Sequence, residues 1–162
     1  MSAMGVSPRL SILVPVFNWD LTMLVKRLRA EIEAAGLQAD VEVKCYDDAS
    51  TDARLREINR ALFAQDRREW EEYREVSQNQ GRAKIRNVLA AAARGEWLLF
   101  MDADVVPDSD KYIQSYIKEI LENRADAICG GTGYGQRVLK DPQYDFYVYL
   151  VTAAGQSDAA RR

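Results

Sequence analysis

Two carboxylates follow an apolar run in the stretch GEWLLFMDADVVPD. The run, Trp97 to Met101, predicts a buried strand, and Asp102 and Asp104 come directly after it. Alternate side chains of an extended segment point the same way, about 7 Å apart at their Cα atoms, so the two anions share one small volume. Mn²⁺ or Mg²⁺ could neutralise them, because such ions take one or two carboxylates and fill their other positions with phosphate and water oxygens. The alternative is that one Asp caps the next helix or ends the strand.

A second acidic stretch, DDASTD, follows the β-branched run VEVKCY. Ser50 and Thr51 are common at helix starts, so a helix-initiating loop is one interpretation. The other is that Asp47 and Asp48 accept the imide and hydroxyl protons of a uracil-like base and its ribose. Either function requires these carboxylates to lie at the end of a strand.

The basic stretch NQGRAKIRN places Gly81 beside Arg82, Lys84 and Arg86 at the start of a helix. Backbone N–H groups at a helix start and nearby guanidinium groups suit anionic oxygens. Alternatively, this is a basic helix face that pairs with neighbouring carboxylates. The later stretch CGGTGYG does not fit the dinucleotide fingerprint G-x-G-x-x-G.

Four strand-like runs alternate with four helical patterns and would position these stretches. The predicted strands are LSILVPVF, VEVKCY, WEEYREVS and WLLFM, with a short final strand, DAICGG. The third is highly charged, which predicts an edge position and a solvated face. This alternation predicts an α/β fold with a mostly parallel sheet and helices on both faces. Because ligands bind at the carboxyl ends of such strands, we expect the loops after the four strands to form one site.

Composition narrows the protein class. The sequence has 162 residues, a net charge of −3 and 48% hydrophobic residues, which suits one soluble domain and gives no basic excess for nucleic acid. No apolar run approaches the roughly 20 residues of a membrane span, and residues 1–9 lack a signal-peptide core. We expect a cytoplasmic protein, with membrane association only through segments outside this sequence. With no histidine, any metal would be held by oxygen. Cys45 and Cys129 are expected to be buried free thiols, with a disulfide as the alternative.

Taken in order, these stretches resemble the family 2 glycosyltransferases of the Rossmann-like GT-A fold, which use nucleotide-diphosphate sugars. The matching pieces are SILVPVFN, DDASTD, NQGRAKIRN and LLFMDADVVP, and the resemblance covers about residues 9–135. It implies a donor-binding site, with a UDP-sugar favoured, and Mn²⁺ or Mg²⁺ as cofactor. The implied donor-binding residues are Pro15, Phe17, Asp47, Asp48, Arg82 and Asp102, and the implied metal-binding residues are Asp104 and Asp102. Among these, Pro15, Phe17 and Asp48 would surround the base, and Lys84 or Arg86 could replace Arg82 at the diphosphate.

The sequence departs from this family after the D-x-D strand. Family members continue into an acceptor-binding half that supplies an acidic catalytic base, whereas no stretch after Gly135 matches it. We therefore expect an N-terminal tail (1–9), a donor-binding core (10–135) and an incomplete acceptor-side region (136–162). In the complete enzyme the acceptor would be a saccharide or a lipid-linked molecule. The sequence FYVYL (Phe146 to Leu150) is a candidate for self-association.

Two other functions compete with this interpretation. A non-catalytic nucleotide-binding or assembly module could keep the same fold and the same donor-binding residues. A phosphoacceptor receiver domain also carries carboxylates at strand ends. It places its acid pair after the first strand, however, where this sequence has PVFN.

Overall fold

The computed structural model describes residues 7–123, 125–128 and 130. The chain divides into two units, residues 1–124 and 125–162. The described residues of the first unit form four strands and four helices in strict alternation. They are β1 (Leu10–Val16), α1 (Thr22–Ala34), β2 (Val41–Asp47), α2 (Ala53–Gln65), β3 (Glu71–Glu75), α3 (Arg82–Ala92), β4 (Trp97–Phe100) and α4 (Tyr112–Glu122).

The strands form one parallel sheet in the order β3-β2-β1-β4. Strand β1 lies inside the sheet, where Leu10 is in register with Val41 of β2 and with Trp97 of β4. Its residues are almost all buried, as expected for an apolar run flanked by strands on both sides. The predicted α/β fold with a parallel sheet is confirmed.

Helices cover both faces of the sheet, as predicted. On one face, Ile85 and Leu89 of α3 pack against Leu13 of β1 and Tyr46 of β2. The opposite face carries α1 and α2. There Arg29 of α1 bonds to Glu71 of β3, and Phe63 of α2 stacks on Tyr73 of β3 with ring centroids 5.2 Å apart.

Helix α4 is fixed to α1 by a buried carboxylate. Glu31 of α1 accepts a hydrogen bond of 3.0 Å from the backbone N–H of Gln114 in the first turn of α4. Burial raises the pKa of Glu31, although hydrogen bonds from this helix end and the charge of Arg27 oppose that rise. Helix α4 has no side-chain cap of its own, so Glu31 supplies that function from another helix.

Two expectations about individual strands are wrong. The run Trp97 to Met101 was predicted to be a buried strand, but Leu98 and Phe100 of β4 are 42% and 41% exposed. Strand β4 is the edge of the sheet in the part of the chain described, so one of its faces is only partly covered. The described residues 126–128 and 130 of DAICGG are not in a strand.

Among the described strands β3 lies at an edge, as predicted, and the face that carries Glu72 and Arg74 is partly exposed, as expected for a solvated face. Glu71 is nearly fully buried and pairs with Arg29 at 2.6 Å. The other two glutamates of the strand pair with Lys44 and Arg60, both also at 2.6 Å. The three glutamates of the strand therefore form ion pairs with neighbouring elements, while Glu71 alone is deeply buried.

The amino-terminal end of the sheet contains a close backbone contact at Gly95. The N–H of Gly95 donates to Ser11 Oγ at 2.8 Å, and a Cβ atom on this glycine would lie 2.6 Å from the Ser11 nitrogen. Ser11 in turn donates to the buried carboxylate of Glu42, which also accepts from the backbone N–H of Arg94. Only glycine fits at position 95 without displacing β1.

Two further sequence expectations concern the cysteines and the membrane. Cys45 is a buried free thiol whose pKa is raised by burial, whereas Cys129 and Phe146 to Leu150 lie outside the described residues. None of the helices described has the length and apolar character needed to span a bilayer.

Candidate functional site

A cavity of about 500 Å³ lies at the carboxyl ends of the strands. Each of the four predicted loops contributes to its wall, which confirms that these stretches converge. The lining residues are Pro15, Val16, Phe17, Trp19, Asp48, Asn79, Gly81, Arg82, Ile85, Arg86, Asp102, Ala103 and Asp104. Its size falls within the range usual for small-molecule sites.

The loop after β1 brings two half-exposed aromatic rings, Phe17 and Trp19, to the cavity. Between them, Asn18 has a left-handed backbone (φ 48°), which asparagine tolerates better than most residues. Its side-chain oxygen accepts hydrogen bonds from the backbone N–H groups of Thr51 and Asp52, at 2.8 and 3.0 Å. Asn18 therefore ties the aromatic loop to the acidic loop after β2.

Asp47 and Asp48, adjacent in sequence, have different environments. Asp47 is fully buried and does not line the cavity. Its carboxylate accepts hydrogen bonds from the backbone N–H of Ser50 at 2.7 Å and from the Tyr73 hydroxyl at 3.2 Å. Burial and this negative charge raise the pKa of Tyr73. Asp47 holds the acidic loop in shape from beneath, so its predicted contact with the donor gains no support from its position.

Asp48 lines the cavity, but only 4% of it is exposed. Its two carboxylate oxygens accept hydrogen bonds from the backbone N–H groups of Gln80 and Gly81, at 2.6 and 2.9 Å. Its carbonyl oxygen accepts a third bond from the Asn79 side chain. Asp48 therefore connects the end of β2 to the loop before α3.

Gly81 makes this connection possible. It has φ 80°, a backbone conformation that L side chains rarely adopt, and this directs its N–H group toward Asp48. Helix α3 begins at the next residue, so the contact with Asp48 also fixes the start of α3 beside the cavity.

The negative charge of Asp102 is neutralised by side chains of the protein itself. Asp102 accepts a hydrogen bond of 3.2 Å from Arg82, and its other oxygen accepts from Arg86. Two guanidinium groups of α3 thus neutralise Asp102, as the basic-face alternative proposed. Lys84, on the same helix, is exposed and does not line the cavity.

Asp104 differs from Asp102 because its exposed side chain makes no hydrogen bond or ion pair with another described residue. Among the residues described, no group of three or more potential ligands could hold a metal ion. Of the three carboxylates that line the cavity, Asp48 already accepts two backbone N–H bonds, so Asp102 and Asp104 are the pair that could hold a cation. This donor set fits Mn²⁺ or Mg²⁺ where a bound ligand supplies phosphate oxygens, which is the usual arrangement for Mg²⁺.

The structure gathers all but one of the residues predicted for the site. Six of them line one cavity, namely Pro15, Phe17, Asp48, Arg82, Asp102 and Asp104, and Asp47 does not. The predictions omitted Trp19 and Asn79 and gave Arg86 only as an alternative. Both Trp19 and Asn79 fall in the predicted loops, so their positions at strand ends were the available signal.

Known proteins resemble this chain in sequence and in fold. The model of glycosyl transferase family 2 matches residues 11–148. An uncharacterized protein, y4gI, of Sinorhizobium fredii (strain NBRC 101917 / NGR234) is 30% identical over 120 residues, which are 74% of this chain and 12% of that protein.

Among solved structures, the S. aureus TarS 1–349 complex with UDP-GlcNAc has a TM-score of 0.59 and 25% identity, over 82% of this chain and 38% of that one. A mannosyltransferase, PcManGT from Pyrobaculum calidifontis, was solved with GDP-Man and Mn²⁺. It has a TM-score of 0.60 and 24% identity, over 88% of this chain and 38% of that one. Both are GT-A fold proteins. This chain spans less than half the length of each of these three proteins.

Proposed function

Because the chain belongs to glycosyl transferase family 2, we propose that its cavity binds a nucleotide-diphosphate sugar, the donor of a glycosyl-transfer reaction. The observation that supports this proposal is that side chains of four different chemical kinds line one cavity. Aromatic rings, a buried carboxylate, two guanidinium groups and a carboxylate with no partner among the described residues line the same space. A nucleoside, a diphosphate and a divalent cation together need such groups.

The base and ribose would lie between the β1 loop and Asp48. Pro15 and Phe17 offer an apolar surface for the base. Each oxygen of Asp48 already accepts one backbone N–H bond and keeps a second lone pair, so it can still accept a hydrogen bond from a base N–H group. We propose a UDP-sugar, and the TarS complex with UDP-GlcNAc supports this choice.

The diphosphate would lie toward Arg82, Arg86, Asp102 and Asp104. We propose that Asp104, with Asp102, holds Mn²⁺ or Mg²⁺, and the Mn²⁺ complex of PcManGT supports the need for a divalent cation. When bound, such an ion stabilises the negative charge of a diphosphate leaving group. The guanidinium groups of this chain contribute positive charge to the same end of the cavity.

Transfer to an acceptor is a proposal about the whole protein. The carboxylates lining the cavity are Asp48, Asp102 and Asp104, and each is assigned above to the donor or its cation. With no histidine in the sequence, this leaves no evident general base in the described cavity. We therefore propose that this chain binds the donor without transferring it, while a saccharide or lipid-linked acceptor meets the complete enzyme. The same observation favours a second candidate, a nucleotide-binding or assembly module.

A cytoplasmic location stays a prediction.

Calorimetric titration tests the proposal. UDP, UDP-GlcNAc and GDP-Man are titrated into the chain in Mn²⁺ and in EDTA. We expect a uridine nucleotide to bind measurably in Mn²⁺ and to lose that affinity in EDTA. Asp104→Asn should abolish the difference, whereas Asp108→Asn, an exposed carboxylate outside the cavity wall, should preserve it. Equal affinity with and without Mn²⁺ would contradict the metal assignment, and no nucleotide binding at all would contradict the function.

A further inference from the structure

Arg82 faces two competing anionic partners. Its guanidinium group donates to Asp102 at 3.2 Å, and it also lines the cavity assigned above to a diphosphate. The bond to Asp102 is made by one amino group of Arg82, and turning that amino group toward phosphate oxygens would break it. Whether Asp102 is paired with Arg82 therefore depends on whether a diphosphate occupies the cavity.

The two arginines that contact Asp102 are not equivalent. The side chain of Arg86 is 24% exposed, whereas that of Arg82 is 78% exposed and that of Asp102 is 45% exposed. Ion pairs between exposed side chains contribute little stability and are easily exchanged. Arg82 is therefore the partner that leaves Asp102 most readily, while Arg86 is held more firmly by its surroundings.

Helix geometry keeps both arginines at the cavity. Arg82 and Arg86 are four positions apart on α3, so their side chains lie on the same face. Lys84, two positions from each, points about 200° away around the helix. The same helix thus carries two cations directed at Asp102 and one similar cation directed elsewhere.

On the premise of the function proposed above, we propose that Arg82 exchanges between Asp102 and the diphosphate and so makes cation and nucleotide binding interdependent. In the nucleotide-free chain, Arg82 occupies one oxygen of Asp102 and competes with a divalent cation. When a nucleotide diphosphate enters, Arg82 turns to the phosphate oxygens and that oxygen of Asp102 becomes available. Cation affinity then rises on nucleotide binding, and by thermodynamic linkage nucleotide affinity rises equally on cation binding.

The test measures Mn²⁺ affinity without nucleotide, by electron paramagnetic resonance of free Mn²⁺. Arg82→Gln is compared with the unmodified chain and with Lys84→Gln, which removes the same charge from the same helix. Arg82 is largely exposed, so its replacement should not disturb folding. We expect Arg82→Gln to bind Mn²⁺ about two- to fivefold more tightly, the range for loss of one exposed ion pair. Lys84→Gln should match the unmodified chain.

A second measurement repeats the titration in saturating UDP. We expect UDP to raise Mn²⁺ affinity less in Arg82→Gln than in the other two proteins. In this variant the guanidinium group that competes with Mn²⁺ for Asp102 has already been removed. Unchanged or weaker Mn²⁺ binding by nucleotide-free Arg82→Gln, or an equal gain in Lys84→Gln, would overturn the exchange. Failure of UDP to bind the unmodified chain would instead refute the proposed function. The titration without nucleotide does not depend on that function, so the two failures can be told apart.

Discussion

Replacing Asp48 with alanine tests whether this carboxylate maintains the site as well as contacting a ligand. Asp48 is buried, and its two oxygens accept backbone N–H bonds from Gln80 and Gly81. A carboxylate at the exposed rim of a site would contribute little to packing, but Asp48 is only 4% exposed. Two N–H groups that lose a buried partner cost about 1–3 kcal/mol each when they stay unpaired, and less when water reaches them.

We therefore expect Asp48→Ala to lower the free energy of unfolding by about 2–4 kcal/mol. For a chain of this size, that corresponds to a fall in melting temperature of about 4–16 °C. Asp48→Asn should lie between alanine and the unmodified chain, because its amide oxygen can still accept from one of the two N–H groups. Melting followed by circular dichroism, together with urea titration, measures both variants.

Asp104→Ala provides the matched control. Its exposed carboxylate has no partner among the described residues, so its loss should change stability by no more than about 0.5 kcal/mol. Both Asp48→Ala and Asp104→Ala should weaken nucleotide binding in Mn²⁺, but only the first should melt early. An Asp48→Ala protein that melts within a degree of the unmodified chain would show that the loop before α3 does not depend on this carboxylate.

Two further predictions concern the opposite end of the sheet. Gly95→Ala should destabilise the fold by at least about 2 kcal/mol, as overpacking does, because the new Cβ would lie 2.6 Å from the backbone nitrogen of Ser11. An unchanged midpoint of urea unfolding would show that β1 shifts to accommodate the methyl group. For Glu42, burial raises the pKa but is outweighed by hydrogen bonds from Arg94 and Ser11, so the pKa lies below its ordinary 4.5. A lowered carboxyl pKa adds stability above pH 4.5, and this stability is lost as pH falls through the folded-state pKa. The urea midpoint of the unmodified chain should therefore fall between pH 5 and pH 3, and it should fall less steeply in Glu42→Gln. Equal pH dependence of the two midpoints would contradict this.

The sequence predicts the fold well because its signals are local. Strand-like runs, mostly apolar except for the charged WEEYREVS, identify the four strands, and helical spacing identifies the four helices in the described part of the first unit. The convergence of four loops also follows from sequence, since parallel strands present their carboxyl ends on one edge. Burial of β4 was not predictable in the same way, because an apolar run does not reveal whether its strand lies inside a sheet or at its edge.

The division of labour among acidic residues could not be predicted from sequence. Asp47 and Asp48 are adjacent and chemically identical, and their side chains point to opposite faces at the end of β2. Only the tertiary structure shows that the Tyr73 hydroxyl donates to Asp47, whereas the backbone N–H of Gln80 donates to Asp48. The pairing of Asp102 with two arginines likewise depends on where α3 lies beside β4.

The register of β1 with both β2 and β4 has a consequence for how the protein is made. Leu10 pairs with Val41 and also with Trp97, a partner that is synthesised much later. Contacts between residues so distant in sequence form slowly, because the intervening chain must close a long loop first. A nascent chain can therefore pair β1 with β2 early, but its cavity stays open on one side until β4 has left the ribosome and joined the sheet. With the function proposed above, nucleotide binding would therefore report the pairing of β4, the last strand in the described part of the chain.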